Sequence, residues 1–435
     1  MPLGGGGPLL SYAIGDKNRR VLAGWLGRRN MAKALLALSE VTVRRGMSVV
    51  INNHSLTLEG GQCMALVGSN GAGKSTLLEV AAGLLPLEQG VVSHSDKHVL
   101  DAEGRRSSSP LTVGLTLQKN GMIGSEIVIE HLKMACANSL ADIDMTPFLE
   151  AFHLQHRAND LVAHLSQGQA RKIAVLAALL PAFASQSPSL VMLDEPASGL
   201  DDDAVVTLCG WLCTLRERGH AVLVCTHDQR ILQQASHVHD VAKQKTSTQT
   251  PANATVELTT KSTPAKRTTP GVFGVRTHMR TMLWLNHNGM AALLTLGILL
   301  SFGSFMDSMN DAQRLGIVLA PAFAAGLCGE ALVTAMREER ASDWWRAVGR
   351  GIPHASWLPL LIGAAITAVS QGSLQQPFEA VHILVGAMTC FVAWHAVGMA
   401  QRSTNRLARP QAVMVGLLTP VLILPYALLI DWLTR

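Results

Sequence analysis

Apolar and polar positions fall into distinct regimes along the chain. From residue 31 to about 240, short apolar runs (MALVG, VGLTLQ, SLVMLD, AVLVCT) alternate with stretches of helical period. That alternation predicts an α/β domain, a parallel sheet flanked by helices. The text MAKALLALSEVTVRRG has the two-residue period of an opening strand. Residues 1–30 are glycine-rich and then basic, without the apolar core of a signal peptide, so they are expected to form a poorly ordered extension. Met31 is the expected translation start. Residues 241–275 are rich in Thr, Ser, Lys and Pro and read as an unpacked linker.

Beyond residue 276 the apolar runs lengthen, and an all-α transmembrane domain is expected. Five candidate spans lie near 287–306, 315–336, 355–371, 379–400 and 411–431, with a sixth left open. Each approaches the ~20 residues that cross a bilayer. Arg276 and Arg280 precede the first span. Arg337, Arg340, Arg346 and Arg350 lie between the second and third, and Arg402, Arg406 and Arg409 between the fourth and fifth. The remaining connections, DSMNDAQR and QGSLQQPFE, hold one Arg. Positive charge marks the cytosolic side. The expected location is therefore the inner (plasma) membrane, multi-pass, with the N-terminal domain in the cytoplasm.

Composition strengthens this division. A length of 435 residues exceeds one ordinary domain. The apolar fraction of 48% and mean hydropathy of +0.24 exceed those of a soluble enzyme of this size, which points to a membrane partner. A formal charge of +5 is too small to indicate nucleic-acid binding. Seven cysteines without a CxxC pair are ordinary usage for a reduced cytosol.

Two motifs carry chemistry. Gly68–Ser75 reads GSNGAGKS, fitting G-x-x-x-x-G-K-[ST] between an apolar run and a helical one. In this loop Gly68, Ser69, Asn70, Gly71, Ala72 and Gly73 wrap backbone N–H groups around phosphates, and Lys74 reaches the outer ones. Ser75 ligates Mg²⁺, and Thr76 continues into a helix whose positive end faces the anion. LVMLDEP at 190–196 is a buried strand ending in two carboxylates. Asp194 is placed to hold Mg²⁺, and Glu195 to polarise an attacking water. The expected cofactors are ATP and Mg²⁺.

With these motifs the chain resembles the nucleotide-binding domain of the ATP-binding cassette (ABC) superfamily over residues 31–240, an α/β P-loop NTPase fold. Gln118 in VGLTLQKN resembles that family's γ-phosphate- and Mg²⁺-sensing glutamine. LSQGQ at 165–169 resembles the signature LSGGQ, which implies that Ser166, Gly168 and Gln169 contact nucleotide. SGLD at 198–201 resembles the D-loop, and His227 in VLVCTHD the switch histidine. The resemblance implies ATP hydrolysis with Glu195, His227 and Gln118 as catalytic residues. It also implies a dimer in which one subunit's signature completes the other's site, the partner being a second copy or a homologous half-transporter. Gln167 departs from the signature's first glycine. VRRGMSVVINN also lacks the usual aromatic adenine platform, offering Arg44, Arg45 and Met47.

The membrane half resembles type-2 ABC exporters less specifically. REERASDWWRAVGRGIPHAS at 337–356 reads as an amphipathic helix at the membrane interface, as a loop with interfacial tryptophans, or as a coupling helix docking near Gln118. Glu330 in the second span reads equally as functional or as structurally paired. The substrate is unknown. An ATP-driven exporter is the leading expectation; a membrane-anchored ATPase that powers a partner is the alternative.

Overall fold

The computed structural model describes residues 34–137, 139, 141–252, 262–264, 270–301, 308–349, 351–403, 422–423 and 426–434. The N-terminal extension, Met31 and most of the fifth expected span lie outside them. Strands β1 (Ala34–Arg45) and β2 (Ser48–Glu59) form a hairpin, followed by β3 (Cys63–Val67) and helix α1 (Lys74–Ala81). Next come β4 (Gln89–His94), β5 (Lys97–Asp101), β6 (Val113–Thr116), α2 (Val128–Cys136), β7 (Ala141–Ile143) and α3 (Thr146–Ala151). The long helix α4 (Gln167–Ala184) leads to β8 (Leu190–Asp194), α5 (Asp202–Glu217), β9 (Ala221–Cys225), α6 (Gln229–Leu232), β10 (His237–Asp240) and β11 (Lys245–Thr248).

The larger sheet has the order β11-β10-β3-β9-β8-β6, parallel from β10 to β6. Its central strands CMALV, LVMLD and AVLVC are buried almost end to end, as a sheet covered on both faces requires. The four apolar runs expected to be strands are β3, β6, β8 and β9. A second, antiparallel sheet, β2-β1-β4-β5, packs beside it. Within the stretch expected as an unpacked linker, β11 adds an antiparallel edge to β10, and Ala252 N–H donates to Gln233 O. Polar Thr and Ser suit such an edge, where one flank of the strand stays in water. Farther on, β12 (Ser262–Pro264) pairs with β7.

The helical half opens with α7 (Pro270–Thr281), a π-helical turn at Leu285–Gly289 and α8 (Met290–Ser301). Then follow α9 (Asp311–Leu327), α10 (Ala331–Glu338), α11 (Ala341–Ala347), α12 (Leu358–Ser373) and α13 (Ala380–Ser403). Among the described residues, Asp311–Arg337 and Ala380–Gln401 are long and apolar enough to cross a membrane. Val272–Thr281 and Leu285–Ser301 form a third candidate, bent by 63°, and Leu358–Ser373 is a shorter apolar helix. The second expected span is interrupted between α9 and α10. Asn288 Nδ2 donates to the carbonyls of Ala325 and Gly329 there, replacing helical partners. Glu330 is buried beside this break, its carboxylate 3.7 Å from His278 Nε2.

One cluster of buried side chains runs through both halves. Beside the sheet residues it includes Phe273, Leu332, Met336, Trp344 and Trp345. Both tryptophans are at most 1% exposed. The amphipathic-interface and loop readings of this segment are therefore corrected: the indoles turn into the α/β core. Trp344 Nε1 donates to Leu115 O at 3.1 Å on β6, which satisfies its polar edge where lipid would not.

Candidate functional site

The loop Gly68–Gly73 bridges β3 and α1. Gly73 caps α1 at φ 94°, and a Cβ there would lie 2.8 Å from Ile51 Cδ1 on β2, so the tight turn requires glycine. Lys74 is 8% exposed, and its Nζ donates to Gly68 O at 2.9 Å and Ser69 O at 3.1 Å. The ammonium is thereby folded over the mouth of the loop. Ala72 N–H donates to Ser69 O, tightening the turn around Asn70 and Gly71, while Thr76 is buried in α1.

Parallel pairing of β8 between β6 and β9 brings its carboxylates to this loop. Ser75 Oγ donates to Asp194 Oδ1 at 3.0 Å. Burial raises the Asp194 pKa; the Ser75 hydrogen bond opposes this, and the Glu195 charge adds to it. A hydroxyl beside a desolvated carboxylate is a hard-oxygen pair that fits Mg²⁺. Glu195 sits at φ 47°, a left-handed conformation that costs a non-glycine residue about 1–2 kcal/mol. Its N–H donates to Cys225 O at 2.8 Å, which holds it there. His227 Nε2 lies 3.5 Å from Glu195 Oε1, both partly exposed. Gln118 and Glu195 line a common cleft of about 730 Å³, closed on one side by Ala335 and Glu339 of the helical half.

Ser166 caps α4. Its Oγ accepts from Gln169 N–H at 3.3 Å, and Gln169 Oε1 accepts from Ser166 N–H at 2.9 Å, a reciprocal capping box. The Gln169 side-chain oxygen is thus engaged within the helix start. Gln167 occupies the first helical position, where a side chain costs the backbone nothing and glycine is not required. Gly168 abuts Gly199 of the SGLD loop: a Cβ on Gly168 would lie 2.8 Å from Gly199 O. Asp201 caps α5, and Lys172 Nζ donates to its Oδ2 at 2.6 Å. That bond holds the Asp201 carboxyl below the usual range.

Arg171 was not foreseen as a site residue. It is 5% exposed, and its guanidinium donates to Leu117 O at 2.7 Å, Asn120 Oδ1 at 3.3 Å, Glu195 O at 2.9 Å and Asp194 O. One cation therefore ties the segment before Gln118 to the end of β8. Burial lowers its pKa, and the Asp194 and Glu195 charges oppose that. The signal was present in sequence as RK at the head of a helix otherwise apolar, QGQARKIAVLAALL.

The residues raised as an adenine platform are placed differently from one another. Arg44 Nε pairs with Glu88 at 2.7 Å and Arg45 Nη2 with Glu79 at 2.7 Å, while Met47 is 93% exposed at the hairpin tip. Both guanidiniums are committed to carboxylates.

Residues 51–198 match the family model described as ABC transporter. The cytochrome c biogenesis ATP-binding export protein CcmA of Gluconobacter oxydans is 34% identical over 194 residues, 44% of this chain and 81% of that protein. The chain belongs to the ABC transporter family. Its α/β half is accordingly an ABC ATPase that binds and hydrolyses ATP. The Nod factor export ATP-binding protein I of Cupriavidus pinatubonensis is 31% identical over 45% of this chain, which spans 59% of that relative's length. The macrolide export ATP-binding/permease protein MacB of Escherichia coli is 27% identical over 281 residues, 61% of this chain and 42% of that protein. A solved ATP-binding subunit of an ABC transporter superposes with a TM-score of 0.42 at 23% identity, covering 49% of this chain and 90% of that one.

Proposed function

We propose that this ABC protein is an ATP-driven exporter of the inner (plasma) membrane, its ATPase domain (31–240) in the cytoplasm and its helices from 276 onward embedded. Two copies, or one copy and a homologous half-transporter, close on two nucleotides. The backbone of Gly68–Gly73 and Lys74 hold the triphosphate. Ser75, Asp194 and Gln118 would hold Mg²⁺, which when bound would supply positive charge against the phosphates. Ser166 and the Gly168 N–H act on the partner's nucleotide, Glu195 orients the water, and His227 stabilises the developing phosphate charge.

The observation that carries the reading is the seat of α11. Trp344 bonds Leu115, three residues before Gln118, and Gly121 N–H donates to Glu339 O at 3.1 Å. The segment between these bonds is the one holding Gln118, so a shift there moves the helical half. Arg280, on α7, adds a bidentate pair with Glu130 on α2 at 2.8 and 3.0 Å. The relatives named for export agree in kind; the cargo of this chain is left unassigned.

The test uses inside-out vesicles carrying the full chain. Glu195→Gln is expected to bind ATP and close the dimer while hydrolysis falls by about 10²–10³-fold. Wild-type turnover in that variant would overturn the assignment of Glu195. ATP-dependent uptake of any cargo supports export; steady hydrolysis with no cargo moved, in the presence of every neighbouring gene product, supports the anchored-ATPase reading instead.

A further inference from the structure

Glu79 lies on α1, the helix into which the phosphate loop opens, and is 4% exposed. A carboxylate buried to that degree needs a partner for its charge. Glu79 has two, one on each oxygen. Arg45 Nη2, at the end of β1, donates to Oε2 at 2.7 Å, and Arg340 Nη1, in the turn between α10 and α11, donates to Oε1 at 2.6 Å. One buried acid is therefore where the phosphate-loop helix, the antiparallel sheet and the helical half meet.

The arm to Arg340 is the more constrained of the two. The Arg340 side chain is 27% exposed against 48% for Arg45, and Arg340 Nε also donates to Asp343 Oδ2 at 2.9 Å. The Arg340 backbone stands at φ 57°, a left-handed conformation that persists in a non-glycine residue where surrounding bonds hold it. That turn starts α11. Trp344 N–H donates to Arg340 O at 3.2 Å, and the indole of the same tryptophan reaches Leu115 O. At the other end of the chain of contacts, Glu79 stands five residues after Lys74, about 7.5 Å along one unbroken helix. A helix of eight residues moves as one piece, so a shift of the loop around phosphates carries Glu79 with it. Burial raises the Asp194 pKa and the Glu79 charge adds to that, which puts Glu79 within electrostatic reach of the Ser75–Asp194 pair.

We propose that Glu79 is a positioning residue that passes the state of the phosphate loop to the helical half through Arg340, by a route separate from the Gln118 segment. Helix α1, gripping the triphosphate at its N-terminal end, draws the α10–α11 turn with it. The coupling is reciprocal, so the position of that turn also sets how well the loop holds nucleotide. Arg45 ties the same carboxylate to the antiparallel sheet, inside the ATPase half, and serves as its anchor. The inference rests on the reading that nucleotide binding moves the helical half.

The experiment is hydrogen–deuterium exchange on the full chain in nanodiscs, with and without a non-hydrolysable ATP analogue and Mg²⁺, followed over residues 331–348. In the parent the analogue is expected to change exchange across this stretch. Arg340→Gly removes the bond to Glu79 but places there the one residue that takes φ 57° freely, so the turn itself survives. Arg340→Met removes the same bond and keeps the bulk of the side chain. Both variants are expected to lose the analogue-dependent change. Both should also bind a fluorescent ATP analogue about fivefold more weakly, because α1 is no longer held in place before nucleotide arrives. Arg45→Met strips the other oxygen of the same carboxylate and is expected to keep the change at 331–348. Persistence of the change, or unchanged affinity, in both Arg340 variants overturns the proposal. Equal loss of the change in Arg45→Met also overturns it, since Glu79 would then be a structural charge centre and no route. An analogue that alters nothing at 331–348 in the parent refutes the premise that the halves move together. A change in the parent that survives at Arg340 refutes the route alone.

Discussion

Replacing Arg171 by methionine removes a buried cation while keeping most of the side chain's length and volume. Four oxygens lose their donor: the carbonyls of Leu117, Asp194 and Glu195 and the amide of Asn120. A buried acceptor left unsatisfied costs ~1–3 kcal/mol. These face the cleft that also holds Gln118 and Glu195, so water can replace part of the loss and the lower end of that range applies. Methionine needs no desolvation of charge, which offsets some of the rest. The net is about 2–3 kcal/mol, or ~5–10 °C in melting temperature for a domain of this size. Catalysis should suffer differently from stability. Arg171 holds the carbonyl of a residue kept at φ 47°, and its removal lets Glu195 relax toward an unstrained conformation. A misplaced water-orienting carboxylate is expected to lower kcat by ~10–100-fold, equal to about 1.4–2.8 kcal/mol of barrier, with the KM for ATP nearly unchanged. The assay is steady-state ATP hydrolysis by the full chain in nanodiscs, beside a melting curve. In a Glu195→Gln background, Arg171→Met should add little further loss of kcat, because the residue it acts through is already gone. Full kcat in Arg171→Met with the expected fall in melting temperature would show that the cation is structural only, and additivity in the double variant would refute the positioning role.

Lys74→Ala should weaken nucleotide binding itself by about 10–100-fold in a fluorescent-nucleotide titration, since a nearly buried ammonium contributes a charge-assisted contact. Trp344→Ala should cost about 3–5 kcal/mol of packing in the shared core. It should also lower coupled transport more than basal ATPase, while Trp344→Phe restores packing but not the bond to Leu115 O. Stability should decline in mild acid. Burial lowers the pKa of His54, with the nearby His239 adding to this, and of His220, each to about 4. An unfolded imidazole protonates near 6.5. Between those values the unfolded chain binds more protons, so the melting temperature should fall as pH drops from about 6.5 toward 4 and flatten below. His54→Gln should reduce that slope in differential scanning calorimetry.

The central sheet was legible because buried parallel strands are written as unbroken apolar runs, and β3, β6, β8 and β9 are such runs. The antiparallel sheet was legible only at β1. Strands β2, β4 and β5 carry Ser, Asn, Gln and Lys on a face open to solvent and bury His54 and His94 among the apolar positions, so hydropathy alone does not mark them and their pairing depends on register. The phosphate loop and the strand-end carboxylates could be read because their chemistry demands fixed residue types at short spacing. Arg171 was missed since its role depends on three segments meeting in space, which no spacing along the chain encodes. The tryptophans at 344 and 345 illustrate the same limit. Beside apolar spans their amphipathic character suits a lipid boundary, and only the carbonyl of Leu115, 229 positions away, decides otherwise. Glu330 was legible as costly, and its partner His278 was not.

The placement of Trp344, Trp345 and Val348 in the main core has a consequence for how the chain is made. The ribosome delivers the ATPase half first. At ordinary elongation rates the stretch from Ala252 to Val348, on the order of 100 residues, takes on the order of 5–20 s to emerge. Through that interval β6 and α2 present an apolar seat with nothing in it. Formation of α10 and α11 fills that seat, so the last step of packing the ATPase core waits on the helical half. A nascent chain still short of α11 keeps an unfinished ATPase core, and the residues that complete it are among the later ones to be made.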